Sequence, residues 1–137
     1  MPRGKKDIEK QWRKNMAQVF IDANFLFDLS ERAPQKGRQL TSHQVFVSPL
    51  SYHILFFTYR YKVPHNEASK QKELLNIVSL TDNILDHALQ GPTSDLEDNI
   101  QLHSATEADC DYFLTNDEKL LKMKFFGKTK IISSLVN

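Results

Sequence analysis

Short apolar runs alternate along the chain with longer segments of helical periodicity. Val19-Phe20-Ile21 is closed by Asp22 and Asn24, Gln44-Val45-Phe46-Val47-Ser48 by Pro49, Ile77-Val78-Ser79-Leu80 by Thr81, and Asp111-Tyr112-Phe113-Leu114-Thr115 by Asn116-Asp117. Runs this short and this continuously apolar read as strands buried on both faces of a parallel sheet. Thr129 to Ser133 reads as a last, edge strand. Between them the pattern predicts a short helix from Phe25 to Leu29 and a loop from Arg32 to Leu40, which holds Pro34 and Gly37. A helix from Pro49 to Tyr61, capped by Ser48 and stopped by Pro64, is apolar nearly all round and is expected to be buried on more than one face. A polar helix from Asn66 to Asn76 follows. Thr81 caps another, with Ile84, Leu85, Ala88 and Leu89 on one face, and Gly91-Pro92 ends it. A helix from Thr93 to Ala108 and a short one opened by Asn116-Asp117 complete the set. Strands alternating with helices predict an α/β three-layer sandwich with a central, mainly parallel sheet of four to five strands.

At 137 residues the chain is long enough for one domain with a real core. Lys plus Arg number 18 and Asp plus Glu 17, so no global field draws in nucleic acid and any basic surface is local. The basic residues are concentrated at two places. One is the N-terminal segment, where Arg13 and Lys14 sit beside an apolar stripe of Ile8, Trp12 and Met16, so residues 1–18 read as a basic arm or helix ahead of a domain over 19–137. The other is Lys119, Lys122, Lys124, Lys128 and Lys130. Cys110, the one cysteine, excludes an internal disulfide and reads as a small residue near a helix end in a reducing compartment. No apolar run has the length of a membrane span or forms a signal-peptide core, which places the expected location in the cytoplasm with no membrane partner.

The chemistry lies in where acids fall. In an open α/β sheet, ligands bind beyond the carboxyl ends of the strands, and Asp22 and Asp117 both end strands there. Asp98 lies in the first turns of the helix before the fourth strand, which begins at the same edge if the crossover is regular. Asp95 shares its helix face three residues earlier. Three convergent carboxylates raise one another's pKa, and a hard divalent ion relieves the repulsion. The same residues also suit helix capping: Asp22 or Asn24 ahead of Phe25, Asp117 ahead of Leu120, and Ser94 with Glu97 as a capping box. Asp98, one turn past that cap, lies beyond the usual capping position.

Val19-Phe-Ile-Asp-Ala-Asn-Phe-Leu, Asp95-Leu-Glu-Asp-Asn-Ile-Gln-Leu and Tyr112-Phe-Leu-Thr-Asn-Asp117, in this order and spacing, resemble the PIN-domain family, the nuclease fold of VapC-like toxins. The resemblance spans about residues 19–133. It implies that Asp22, Asp98 and Asp117 bind Mg²⁺ or Mn²⁺, that Thr115 supports the site alongside Asn24 and Asn116, and that an antitoxin covers the cleft. One position departs from the pattern. Ser48-Pro-Leu-Ser-Tyr-His-Ile54 places isoleucine where the family carries a helix glutamate, and neighbouring His53 projects about 100° away around the helix, as a core or interface histidine.

Two readings follow. The first is metal-dependent RNA cleavage, with Asp95 orienting the attacking water and Arg13, Lys14, Lys119 and Lys122 on the RNA backbone. The second, favoured by Ile54, is a catalytically weakened PIN-like module that binds RNA or a protein partner. The aromatic surface of the helix from Leu50 to Tyr61 predicts a homodimer contact in either case.

Overall fold

The computed structural model describes residues 16–135. Its sheet contains β1 (Gln18–Ile21), β2 (Gln44–Val47), β3 (Asn76–Ile77), β4 (Tyr112–Leu114), β5 (Phe125–Phe126) and β6 (Thr129–Ile132), in the order β3-β2-β1-β4-β6-β5. All pairings are parallel except that of β5 with β6. The helices are α1 (Ala23–Phe27), α2 (Pro49–Tyr59), α3 (Asn66–Glu73), α4 (Asp82–Ala88), α5 (Leu96–Glu107) and α6 (Glu118–Met123). A π-helical turn (Asp28–Arg32) continues α1, and 3-10 turns cover Pro34–Leu40.

Alternation along the central strands divides the core in two, because successive strand side chains point to opposite faces. Val19 and Ile21 join Val45, Val47 and Leu114 on the face covered by α1 and α2. Phe20 joins Phe113 and Ile131 on the other, beneath Ile84 of α4, Leu102 of α5 and Leu120 of α6. Phe20 lies opposite Phe113 in the β1–β4 register, and their rings stack with centroids 5.5 Å apart. Burial on both faces is why these strands read as continuous apolar runs, and the result is the expected three-layer α/β arrangement.

The sheet is wider than the sequence suggests. Phe125 and Phe126 form an extra antiparallel strand, so β6 is not an edge: it lies between β4 and β5. Two residues between Lys124 and Gly127 are too few to carry a strand pattern, and only pairing with β6 defines them. The apolar helix also differs from expectation. Ser48 caps it through Oγ, which accepts the Leu50 N–H, but it ends at Tyr59 because Arg60 turns left-handed at φ 55°. Within this chain α2 is buried on one face only: Ser51 and Leu55 are covered, while His53 is exposed and Phe57 is 79% exposed. His53 is therefore not a core histidine.

No helix among the described residues is long and apolar enough to cross a membrane. Ile8 and Trp12 of the N-terminal stripe and the candidate RNA contacts Arg13 and Lys14 lie outside the described residues.

Candidate active site

β1 is flanked by β2 on one side and β4 on the other, so strand order reverses between β1 and β4. A crevice opens at the carboxyl ends of the strands at such a switch point. Asp22 stands at its mouth, directly after β1, and its N–H extends the ladder by donating to Leu114 O. The carboxylate is held from both sides. Oδ1 accepts the Phe25 N–H at 2.8 Å and Oδ2 accepts the Thr115 hydroxyl at 2.5 Å. Thr115 Oγ1 in turn accepts the Asp117 N–H at 3.0 Å. One buried hydroxyl thus links the acid after β1 to the backbone of the acid after β4.

Capping and clustering coincide. Asp22 is the N-cap of α1, Asp95 of α5 and Asp117 of α6. Asp95 Oδ1 accepts the Asp98 N–H, and Asp117 Oδ1 accepts the Lys119 and Leu120 N–H groups. Capping uses one carboxylate oxygen and leaves its partner for other work.

The cap of α5 is displaced from the expected one. Asp95, not Ser94, is the N-cap and bonds the Asp98 N–H, while the Asp95 N–H goes to Thr93 Oγ1, so no reciprocal box closes and Asp98 is the capped position and not a residue beyond it. Asn99 explains the shift. Its Oδ1 accepts both the backbone N–H and the hydroxyl of Thr93, and its Nδ2 donates to Ala88 O and Thr93 O. Those bonds hold the chain at Thr93 in a turn, so the helix starts at Leu96 and not at Thr93.

The acids sense one another. Burial first, and the charges of Asp98 and Asp117 after it, push the Asp22 carboxyl up to about 6 against the stabilising bonds from Thr115 and Phe25. Asp98 is also pushed up to about 6, by partial burial first and then by Asp95, Asp117 and Glu97, with Lys119 pulling the other way. Glu97 is shifted upward by partial burial, Asp95 and Asp22. It was readable as a cap residue, yet it belongs electrostatically to the cluster.

Asp28, Arg32 and Lys36 were not singled out from sequence. Asp28 is buried and binds Arg32 Nε at 2.8 Å and Lys36 Nζ at 2.7 Å, with Asn116 Nδ2 donating to it at 3.2 Å. The spacing of Asp28 and Arg32, one helical turn apart, was the available signal. This network ties Asn116, beside the crevice, to the turn after α1. Arg32 Nη2 also donates to the backbone carbonyl of Asn24, whose residue is exposed. Lys119 and Lys122 are exposed on α6. Ile54 is half-buried against the apolar core on the α2 side. Cys110 is buried behind the end of α5, and its thiol is pushed up to about 12 by burial and by Asp111 and Asp109, which makes it unreactive.

All-oxygen donors, with Asp22 and Asp98 raised first by burial and then by neighbouring acids, fit a hard divalent cation, which favours the charged carboxylates. Among the described residues no three His, Cys, Asp or Glu side chains close on one point as a finished cage. Mg²⁺ commonly keeps several waters and uses only one or two carboxylates, so the donor chemistry remains suited to it.

Neither a protein-family model nor a curated protein matches this chain. Among solved structures it is similar to a chain of VapBC2 from Rickettsia felis bound to a DNA fragment from their promoter. The TM-score is 0.60 at 12% identity, over 84% of this chain and 97% of that one. The likeness is one of fold, and the architecture is PIN-like.

Proposed function

We propose that this protein is a metal-dependent endoribonuclease of PIN type, the toxin of a toxin–antitoxin pair. The observation that carries the reading is the buried Asp22 at the switch point, its pKa raised first by burial and then by the charges of Asp98 and Asp117 from two other elements. A crevice so negative repels a phosphodiester until a cation neutralises it.

In this reading Asp22, Asp98 and Asp117 hold Mg²⁺ or Mn²⁺. A bound divalent ion supplies an acidified water and charge neutralisation at the scissile phosphate. The chain does the rest. The Phe25 N–H and the Thr115 hydroxyl fix the Asp22 carboxylate, so no reorganisation is needed as charge develops. Asp95, with one oxygen spent on the Asp98 N–H, orients the attacking water with the other. Lys119, whose charge reaches Asp98, contacts the RNA backbone, with Lys122 one turn further along α6.

Cleavage of a structured RNA in Mn²⁺, Mg²⁺ or EDTA tests the proposal. Asp22→Asn, Asp98→Asn and Asp117→Asn are each expected to lower the metal-dependent rate at least about a hundredfold. Full activity in Asp22→Asn would reject the assignment. The half-buried Ile54, which supplies no acid beside the crevice, favours a second reading as a weakened module that binds RNA or a protein. RNA binding with no cleavage even in Mn²⁺ is the outcome that selects it.

The partner reading extends the same likeness, whose solved relative is a VapBC2 complex: an antitoxin protein covers the acidic crevice. We further propose a homodimer through the outer face of α2. Phe57 on α2 and Val63 in the segment after it are each 79% exposed, and Val63 borders an approximately 550 Å³ open groove lined also by Tyr52, Phe56 and His65. Sedimentation is expected to give a concentration-dependent dimer mass that Phe57→Asp shifts to monomer; a wild-type mass that stays monomeric at every concentration contradicts the dimer.

A further inference from the structure

We infer that the β5–β6 hairpin is a stacking platform for a single-stranded polynucleotide, with Phe125 as its base-stacking surface and Lys124, Lys128 and Lys130 as its phosphate contacts. From Lys119 to the C-terminus the sequence carries five lysines and no acid, in a chain whose net charge is +1. All five lysines are exposed. Three of them lie in one hairpin with an exposed aromatic ring. Phe125 lies directly opposite Lys130 in the antiparallel register, so the two side chains share a face. Phe125 is 55% exposed on that face.

The neighbouring phenylalanine does the opposite job. Phe126 pairs with the buried Thr129, projects to the other side, and stands edge-on to His103 of α5 with ring centroids 4.9 Å apart. Phe126 anchors the hairpin, which leaves Phe125 rigidly presented at the outermost strand of the sheet. Lys124 sets the turn into this strand at φ 65°, where a glycine would be unstrained, so a lysine side chain is kept there against a backbone cost. An aromatic face among lysines is the arrangement that binds single strands by stacking and charge without reading their sequence. Phe57 is more exposed than Phe125 but lies on α2, outside this lysine group.

The platform follows α6 directly in the chain. Asp117 opens α6, Lys119 acts electrostatically on Asp98, and Lys122 lies one turn further along. Phe125, aligned through Lys130 and Tyr112 with Val19, lies on the α1–α2 side of the sheet while α6 packs the other side, so the platform is a binding surface separate from the acids. The choice of RNA as the strand rests on the ribonuclease reading; the binding surface does not.

The test is anisotropy of short fluorescent single strands, RNA and DNA of one sequence, titrated with the full-length protein in EDTA at several salt concentrations. Phe125→Ala is expected to weaken binding about tenfold and Phe125→Trp to restore it. Leu74→Ala, at an 82% exposed apolar position away from the hairpin, is expected to leave affinity unchanged. Replacing Lys124, Lys128 and Lys130 together by glutamine should reduce the salt slope by about 2, at roughly 0.7 per lost contact. Equal binding of RNA and DNA supports stacking that ignores the sugar, and preference for RNA supports the assigned strand. Wild-type affinity and slope in both hairpin variants, an equal loss in Leu74→Ala, or binding confined to duplexes overturns the platform. Phe125-dependent binding by a wild-type protein that shows no metal-dependent cleavage rejects the nuclease reading alone.

Discussion

Asp22→Asn is expected to make the metal-free protein more stable at pH 7.5, by about 2–3 kcal/mol in urea unfolding. The folded Asp22 carboxyl titrates near 6, raised first by burial and then by neighbouring acids, against 3.8 in the unfolded chain. Between those values the folded state holds more protons than the unfolded one. Stability therefore falls as pH rises through this window, and the penalty is fully present above pH 6 or so. The wild type should gain stability on acidification from pH 7.5 towards 5, and Asp22→Asn should gain less, retaining the contributions of Asp98 and Glu97. Asparagine keeps an oxygen for the Phe25 N–H, and Thr115 can accept from its amide, so little is lost in exchange. Mn²⁺ should reverse the ranking: a ligand that binds only the folded state stabilises it by mass action. That gain should appear in the wild type and be lost or reduced in the variant. An Asp22→Asn protein no more stable than wild type at pH 7.5 would show that the crevice is better solvated than its burial implies.

Phe113→Ala should be the most destabilising of these substitutions, at about 3–5 kcal/mol. Phe113 has no solvent exposure, stacks on Phe20 in the neighbouring strand, and packs with Leu102, Leu120 and Ile131 between the sheet and its helices. A domain of this size has only about 5–15 kcal/mol in total, so the loss takes a large share of it. Phe113 also lies two residues before Thr115, whose hydroxyl holds Asp22. Urea midpoints for Phe113→Ala and Phe113→Leu measure the effect, with leucine expected to cost much less because it leaves a smaller cavity. Near-equal midpoints for both variants and wild type would contradict the two-faced core.

Much of the fold was legible because the central strands are buried on both sides and so carry an unbroken apolar signal. Val19 to Ile21 and Phe113 to Leu114 could be placed within a residue or two. The caps at Ser48, Thr81 and Asp117 were legible for a similar reason: their side chains bond to N–H groups two or three residues away. The start of α5 was not. Asn99 reaches back six residues to Thr93 and eleven to Ala88, and it overrides the local signal at Ser94. β5 was likewise invisible, since two residues become a strand only when β6 supplies the partners. The outer face of α2 is exposed within this chain, because apolar composition reports a preference for burial and not what it is buried against.

The sequence by itself determined the α/β order of elements, the two-sided central strands, and the acids that end β1 and open α5 and α6. These depend on interactions within a few residues or on periodicity, which a linear chain displays directly. Only the tertiary structure decided that Asp22, Asp98 and Asp117 act on one another, that Thr115 joins the first to the third, and that Asp28 pairs with Lys36 and Asn116. The same holds for Phe125, which faces solvent among lysines while Phe126 packs inward. Each of those facts depends on strand order and on which groups lose their water, and neither is fixed until the sheet has assembled.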